Sequence, residues 1–552
     1  MTNKELADLI YPNVTKTIED YEKMYPERNL KEGAIVSRYA PSPTGFVHMG
    51  NMLACFIENF VPKTTGGAFY LRIEDTDQKR EIEGGINNII SAMKALGLDY
   101  NEGVISETEE VGNYGPYIQS KRIEIYHTFA KYMIENDLAY PCFCTPTEIE
   151  EIRTIQKSSK ERIGYYGKYA RCRYLSNEER AKRIKNGEPF TIRLKSQGNF
   201  NNKITVHDLV KGDVTFPEND QDIVLIKSDG IPPYHFAHLV DDHLMRTTHV
   251  LRGEDWFPSV PVHLELFKLF GFKAPKYAHL GLMMIIDKEG VKRKISKRKD
   301  LDFAVKCFHE KGFPVPAMQE YLLTIANSNF ESWRENNQDK PLTDFPFSFK
   351  KIGASPLFDY SKLINLSKNY ISKLTKEEVY NNLLNWTLEF DKEFYELLKE
   401  NKEYSMNILN IERKQKKPRK DYACYSEIKN GVWYMYDSLY EKMPKTYEFP
   451  IENKDEVKKI ITTYINDYYN ENDDKDTWFN KMKELCDALG YCSNMKEYKE
   501  NPNNYKGSIV DISMVIRVVV TTKTMTPDLY DIMKLLGKEK LLKRINSFVE
   551  NY

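Results

Sequence analysis

Between residues 35 and 114, short apolar runs of strand length alternate with stretches of helical period. Residues 34–39 (Ala-Ile-Val-Ser-Arg-Tyr) read as a strand, residues 51–60 as a helix, the apolar run closed by Glu74 as a second strand and residues 81–96 as an amphipathic crossover helix. That alternation predicts a parallel α/β domain. From about 115 to 221 it breaks into charged helices and β-like runs such as Phe190-Thr191-Ile192-Arg193-Leu194, which reads as an insertion. It returns over 222–300, where it would complete the sheet. From residue 301 helical periodicities dominate, as at 360–371 and 377–398, and strand-like alternation is scarce after 356. Residues 1–31 form a polar extension, expected to be helical, with no legible chemistry.

Composition adds bounds. A chain of 552 residues holds about three to five domains. Hydrophobic residues make up 41%, enough for real cores, while a net charge of −1 excludes a uniformly basic surface. A nucleic acid would have to use local basic faces. The first residues carry Lys4, Glu5 and Asp8 and no apolar core, so no signal peptide is expected. No apolar run is long enough to span a membrane. Eight cysteines in so long a chain do not suggest a disulfide framework, and a reducing cytoplasm is the expected home.

The chemistry concentrates in Arg38-Tyr39-Ala40-Pro41-Ser42-Pro43-Thr44-Gly45-Phe46-Val47-His48-Met49-Gly50-Asn51. A strand, a turn of small residues and a helix start present backbone N–H groups to an anion. Gly45 and Gly50 admit close approach, and His48 can donate to a phosphate. The Gly-Lys-[Ser/Thr] of a P-loop is missing, so this reads as a different ATP site of the His-x-Gly type; the plain alternative is a turn before a helix. A second element, Lys294-Ile295-Ser296-Lys297-Arg298, is a basic loop after the apolar run 280–286. Its lysines would neutralise charge developing on a displaced pyrophosphate. A solvated basic turn is the default for such a run, but both elements occur in the required order.

On these residues the chain resembles the class I glutamyl-tRNA synthetases. The HIGH signature is similar to residues 41–51 and the KMSKS signature to 294–298. Further similar stretches are Phe69-Tyr70-Leu71-Arg72-Ile73-Glu74-Asp75-Thr76-Asp77, Gly115-Pro116-Tyr117-Ile118-Gln119-Ser120, Leu225-Ile226-Lys227-Ser228-Asp229-Gly230, Tyr234-His235-Phe236-Ala237-His238-Leu239-Val240-Asp241-Asp242-His243 and Leu251-Arg252-Gly253-Glu254-Asp255-Trp256. Clear similarity covers roughly residues 35–371, with a weaker echo at 526–544. The resemblance implies a multidomain α/β protein. A split Rossmann-like catalytic domain (32–114 and 222–300) would carry an acceptor-stem-binding insertion (115–221). A stem-contact region (301–371) and an all-α anticodon-binding region (372–552) would follow.

The implied reaction is ATP-dependent activation of glutamate and its transfer to tRNA-Glu, with tRNA-Gln left open, by a monomer using Mg2+. His48, Gly50, Lys294 and Lys297 would be catalytic. ATP would meet residues 41–51 (Pro41, Ser42, Pro43, Thr44, Gly45, Phe46, Val47, His48, Met49, Gly50, Asn51), the loop Lys294, Ile295, Ser296, Lys297 and Arg298, and Glu254 and Trp256. Glutamate would meet Arg38 and Arg252 with its side-chain carboxylate, and Glu74, Ala40 and Ser42 with its ammonium; Tyr234 would close the pocket. For the arginines the alternative is a structural salt bridge, and for Trp256 plain core. His238 departs from the family, which often has a small or amide residue there; it would donate to a carboxylate or be a satisfied helix histidine.

Cys142, Cys144 and Cys172 are similar to a zinc knuckle of some family members, but the expected histidine is Tyr174, with Tyr166 and Tyr169 nearby. A tyrosine or water would complete the set, or the three are ordinary thiols. Arg413 to Lys420 holds six cations in eight positions and would meet tRNA phosphates or be a solvated linker. Tyr422, Tyr425, Trp433 and Tyr436 would stack on bases or, for the most part, be core. The helical tail argues against a glutaminyl-tRNA synthetase, whose anticodon end resembles β-barrels. The intact His48, Gly50, Lys294 and Lys297 argue against an inactive tRNA- or protein-binding paralogue.

Overall fold

The computed structural model describes residues 1–77, 80–296 and 299–552. Contacts divide the chain into two compact units, Met1–Phe308 with Met318–Tyr360, and His309–Ala317 with Ser361–Tyr552.

The first unit opens with the extension, as helices α1 (Asn3–Ile10) and α2 (Ile18–Met24). Each starts with a reciprocal capping box, Thr2 with Glu5 and Thr17 with Asp20, which satisfies two otherwise orphaned N–H groups per helix. β1 (Val36–Tyr39) is buried at every position, as a strand covered on both faces requires. It runs parallel to β2 (Ala68–Leu71), which runs parallel to β3 (Glu102–Val104), and β4 (Glu110–Val111) closes that edge. Helix α3 (Met49–Thr65) is the β1–β2 crossover and ends at Gly66, whose φ of 65° is the left-handed stop a glycine supplies.

β5 (Ala139–Cys142), β6 (Thr191–Leu194) and β9 (Val224–Ile226) form an antiparallel sheet. A third group contains the hairpin of β7 (Lys203–Asp208) and β8 (Gly212–Pro217), with β10 (His249–Gly253) and β11 (Lys276–Leu280), in the order β10-β11-β7-β8. The expected boundary at 221/222 is therefore interleaved. The β7–β8 hairpin lies within the expected insertion yet extends the β10–β11 sheet, and β9 lies beyond it yet completes the sheet of β5 and β6. Both follow from strands finding partners far away in sequence, which local periodicity does not register.

Thr248 N–H donates to Val36 O at 3.0 Å, setting the start of β10 beside β1. Strand order thus runs outward in opposite directions from the β1/β10 junction. That is the topological switch point, where open α/β sheets hold ligands at the carboxyl ends of their strands. β12 (Met284–Ile286) and β13 (Lys292–Lys294) make a separate hairpin.

Among the described residues no strand follows β13, in line with the expected helical tail. The second unit is built on apolar helix faces: Val379, Leu383, Leu485, Ile512, Val515 and Ile532 are all fully buried. Helix Tyr360–Lys373 runs through the expected 371/372 boundary, and the division between units falls at 360/361.

Candidate active site

The turn after β1 is organised around His48, the N-cap of α3, whose Nδ1 accepts the Asn51 N–H at 3.3 Å. A ring accepting at Nδ1 is, when neutral, a donor at Nε2, as a phosphate requires. A Cβ at Gly50 would sit 3.0 Å from the His48 ring, so any larger residue would make the ring give way by a few tenths of an ångström. Pro41 O accepts from Glu74 N–H at 3.0 Å and Pro43 O from Ile82 N–H at 3.1 Å, tying the turn to the end of β2 and the segment beyond. Phe46 is 56% exposed.

Arg38 and Arg252 project from β1 and β10 at the switch point, and both are buried. Arg38 Nη1 reaches Leu251 O at 3.4 Å, and its Nε donates to Asp242 Oδ1 at 3.1 Å. Arg72, wholly buried on the other side, donates to the same Asp242 oxygen at 2.7 Å and to Glu74 Oε1 at 3.2 Å. Burial opposes the Asp242 charge, but the two guanidinium groups hold its pKa well below the carboxylate range. Burial raises the Glu74 pKa against the pull of Arg72. Asp241 receives Arg122 Nε (2.7 Å), Gln119 Nε2 (2.8 Å) and Tyr126 Oη (2.9 Å), which fixes the next layer down.

Arg252 differs in kind. Its donors meet His279 Nε2 (3.0 Å), Tyr234 Oη (2.9 Å), His263 Nδ1 (3.2 Å) and Trp256 O (3.4 Å). None of these is a carboxylate, and among the described residues no ion pair is made to it. Burial drives His279 below the ordinary imidazole range and His263 far below it, so both are neutral near pH 7. A buried guanidinium with only neutral partners is a charge awaiting an anion. The Tyr234 and Trp256 rings lie 4.2 Å apart beside it, tilted by 41°, and Trp256 is 40% exposed. Glu254 pairs with Lys211.

His238 is fully buried. Its Nδ1 lies 2.6 Å from Asp242 Oδ2, off the line of a good hydrogen bond, and its Nε2 is 3.1 Å from Tyr277 Oη. Both nitrogens face protein groups, but only Nε2 makes a hydrogen bond, and the buried Nδ1 is left without a hydrogen-bond partner. Ala40 and Ser42 lie in the turn between Arg38 and His48, with Ser42 exposed.

The basic loop begins on β13, with Lys294 exposed and Ile295 buried. Its base is clamped: Arg293 pairs with Asp287 and Asp300, and Ser296 N–H donates to Asp300 Oδ2 at 2.7 Å. Lys297 and Arg298 lie outside the described residues.

Cys142, Cys144 and Cys172 converge, with all three sulfurs within 4.8 Å of one another and Cys144 and Cys172 3.7 Å apart. Zinc at about 2.3 Å from each sulfur would set neighbouring sulfurs about 3.8 Å apart, so the trio fits. The tyrosine beside them is Tyr165, whose Oη is 3.4 Å from Cys142 Sγ and 3.2 Å from Cys144 Sγ. Tyr174, the position of the expected histidine, is 72% exposed, and Tyr166 Oη donates to Arg162 O. Hydrogen bonding from the thiols of Cys144 and Cys172 lowers the Cys142 pKa, favouring a thiolate there.

In the second unit, the basic run divides. Arg413 donates to Ile371, Leu374 and Leu409 carbonyls, and Arg419 pairs with Glu412 and Asp421. Lys414, Lys416, Lys417 and Lys420 stay exposed. Tyr425, Trp433 and Tyr436 are core, and Tyr422 is partly buried against it.

Arg72, Asp208, Asp241, Asp242, His263 and His279 were not singled out by sequence. A signal existed for one of them: Asp242 stands four residues after His238, on the same face of helix Tyr234–Leu244. Arg72 and Asp241 lie within the similar stretches quoted above, whereas Asp208, His263 and His279 come from separate strands and a helix and leave no local pattern.

A family model described as tRNA synthetases class I (E and Q), catalytic domain, matches residues 34–336, and an anticodon binding domain model matches residues 393–549. A glutamate–tRNA ligase of Clostridium beijerinckii is 47% identical over the whole of both chains. One of Acetivibrio thermocellus is 45% identical over 99% of each. Among solved structures, a glutamate tRNA ligase from Elizabethkingia meningosepticum in complex with its amino acid matches with a TM-score of 0.73 at 24% identity, covering 94% of this chain and 99% of that one. That likeness concerns the fold.

Proposed function

The chain belongs to the class I tRNA synthetases of the glutamate and glutamine type, and on that premise we propose how its residues carry the reaction of a glutamate–tRNA ligase. A glutamate α-carboxylate oxygen attacks the α-phosphorus of ATP, giving glutamyl-adenylate and pyrophosphate. The terminal ribose hydroxyl of tRNA-Glu then attacks the activated carbonyl carbon, and AMP leaves. Such chemistry asks for positioning and charge stabilisation, not a protein nucleophile.

His48 and the backbone of residues 41–51 receive the triphosphate, which enters with Mg2+. Lys294 and Lys297 neutralise the departing pyrophosphate. Arg252, assisted by Arg38, reads the glutamate side-chain carboxylate; Glu74 and the Ala40–Ser42 backbone take the ammonium; Tyr234 closes the pocket, with Glu254 and Trp256 toward the nucleotide. The observation that carries this reading is the buried, ion-unpaired Arg252 at the switch point beside the His48 turn.

Cys142, Cys144, Cys172 and Tyr165 would hold a structural zinc that shapes the insertion facing the acceptor stem. The exposed lysines of 414–420 would meet tRNA phosphates. The protein acts as a monomer in the cytoplasm; among the described residues no helix is long and apolar enough to cross a membrane.

Lys297→Ala tests the nucleotide half of the assignment. Losing one transition-state donor costs about 2.7–4 kcal/mol, so the rate of tRNA-dependent pyrophosphate exchange should fall by two to three orders of magnitude (about 10²–10³) while glutamate KM barely moves. Near-normal turnover would remove Lys297 from the mechanism.

A further inference from the structure

Three adjacent strands set Arg252, His279 and Asp208 side by side. The β10–β11 register pairs Arg252 with His279, and Asp208 ends β7 where that strand meets β11. The hydrogen bonds among them admit one proton arrangement. Asp208 Oδ1 accepts the backbone N–H groups of Val210 (2.9 Å) and Lys211 (2.8 Å), which anchors the carboxylate. Its Oδ2 lies 2.7 Å from His279 Nδ1. A carboxylate only accepts, so His279 carries its proton on Nδ1 and presents a lone pair at Nε2. Arg252 Nε, which only donates, meets that lone pair at 3.0 Å.

The same logic runs through a second imidazole. His263 Nδ1 must accept from Arg252 Nη2 (3.2 Å), so its Nε2 carries the proton and donates to His235 Nδ1 at 2.9 Å. With single-role groups at Asp208 and Arg252, every tautomer between them is determined.

We propose that Asp208 is a positioning residue for amino-acid specificity: by fixing the Nδ1–H tautomer of His279 it keeps an acceptor against Arg252, and so holds that guanidinium in place without neutralising it. The charge is then left for the substrate's side-chain carboxylate. This rests on the reading of Arg252 as the group that binds that carboxylate. A second carboxylate in direct contact with Arg252 would hold it as firmly but cancel its charge. A neutral imidazole, oriented from behind by a carboxylate, does the holding alone.

Asp208→Asn distinguishes this role from simple support of the β7–β8 turn. The Asn keeps the shape, and its Oδ1 can stay with Val210 and Lys211. Its Nδ2 then donates to His279 Nδ1, the imidazole proton moves to Nε2, and two donors face each other at Arg252 Nε. A comparable tautomer error is what an aspartate-to-asparagine change produces in a Ser-His-Asp triad.

The experiment is steady-state charging of tRNA-Glu, with KM for glutamate and for ATP and kcat measured for wild type, D208N, H279Q and D208N/H279Q. D208N should raise glutamate KM by about tenfold or more, the scale of one lost charge-assisted hydrogen bond, with ATP KM little changed. H279Q should be milder, because a glutamine oxygen accepts from Arg252 and has no tautomer to reverse, and adding D208N to it should change little further. An unchanged glutamate KM in D208N, or an equal D208N effect in both backgrounds, overturns the proposal. If D208N does not fold by circular dichroism, H279Q against H279A decides: equal glutamate KM in that pair also overturns it. R252Q keeps the two readings apart, since an unmoved glutamate KM there would remove the pocket assignment itself.

Discussion

At the scale of single residues, the two pocket arginines do different work although both sit at the ends of neighbouring strands. Arg38 is one corner of a buried ion network with Asp242 and Arg72, whereas Arg252 has only neutral partners. Arg252→Ala should therefore raise glutamate KM by an amount worth roughly 2–5 kcal/mol while leaving thermal stability intact, since no protein carboxylate loses its partner. Arg38→Ala should weaken glutamate binding and also lower the melting temperature, because Asp242 loses a buried counter-ion. Kinetics and melting curves measured on both variants check this; equal melting losses would merge the two roles.

Glu58, buried on α3 with Oε2 unpartnered, gives a pH signature. Burial pushes its pKa up to about 8 against the pull of Arg38. Between the ordinary carboxylate value and about 8 the folded state holds a proton that the unfolded state has lost, so stability falls as pH rises across that window, by up to about 1.4 kcal/mol per pH unit. Glu58→Gln should flatten that part of a melting-temperature profile. An unchanged slope would mean Glu58 is ionised in the folded protein.

At the scale of elements, the polar extension proves to be a strap on the first unit. Arg28 grips Glu102 with two hydrogen bonds (2.6 and 2.9 Å) and lies 3.9 Å over the Tyr114 ring; Tyr25 Oη donates to Gly115 O; Glu22 engages His243 and Arg246. Arg28→Ala should cost about 1.5–3 kcal/mol, the scale of hydrogen bonds to a charged group, read as a lower denaturation midpoint. A midpoint equal to wild type would make the strap incidental. The cysteine trio makes its own prediction: protein purified without chelator should contain one zinc per chain, and Tyr165→Phe should weaken retention against a chelator where Tyr174→Phe should not. Metal-free protein with full charging activity would leave ordinary thiols.

These elements also show what the sequence conveys. His48, Gly50 and the basic loop stand in contiguous stretches whose spacing reflects local geometry, and Arg38 and Arg252 end apolar runs, so all were visible. The partners that give Arg252 its character were not. His279 reaches it from another strand and His263 from a helix, Asp208 stands behind His279, and only the β10–β11–β7 register aligns Asp208 and His279 with it. Likewise β7 and β9 pair across the expected boundary, because strand pairing is settled by partners distant in sequence. Tyr165 was passed over because the family spacing pointed to Tyr174.

At the scale of the whole molecule, a near-neutral chain leaves nucleic-acid affinity to local lysines, and an all-helical second unit matched by an anticodon binding domain accompanies a catalytic unit built around a switch point. The central claim is that this pairing charges tRNA with glutamate. The most direct measurement is aminoacylation of purified tRNA-Glu with ATP, comparing labelled glutamate with labelled glutamine. The account predicts ATP-dependent, acid-precipitable glutamyl-tRNA-Glu, with glutamine not incorporated. Charging by glutamine, or none by glutamate with properly folded protein, would contradict it.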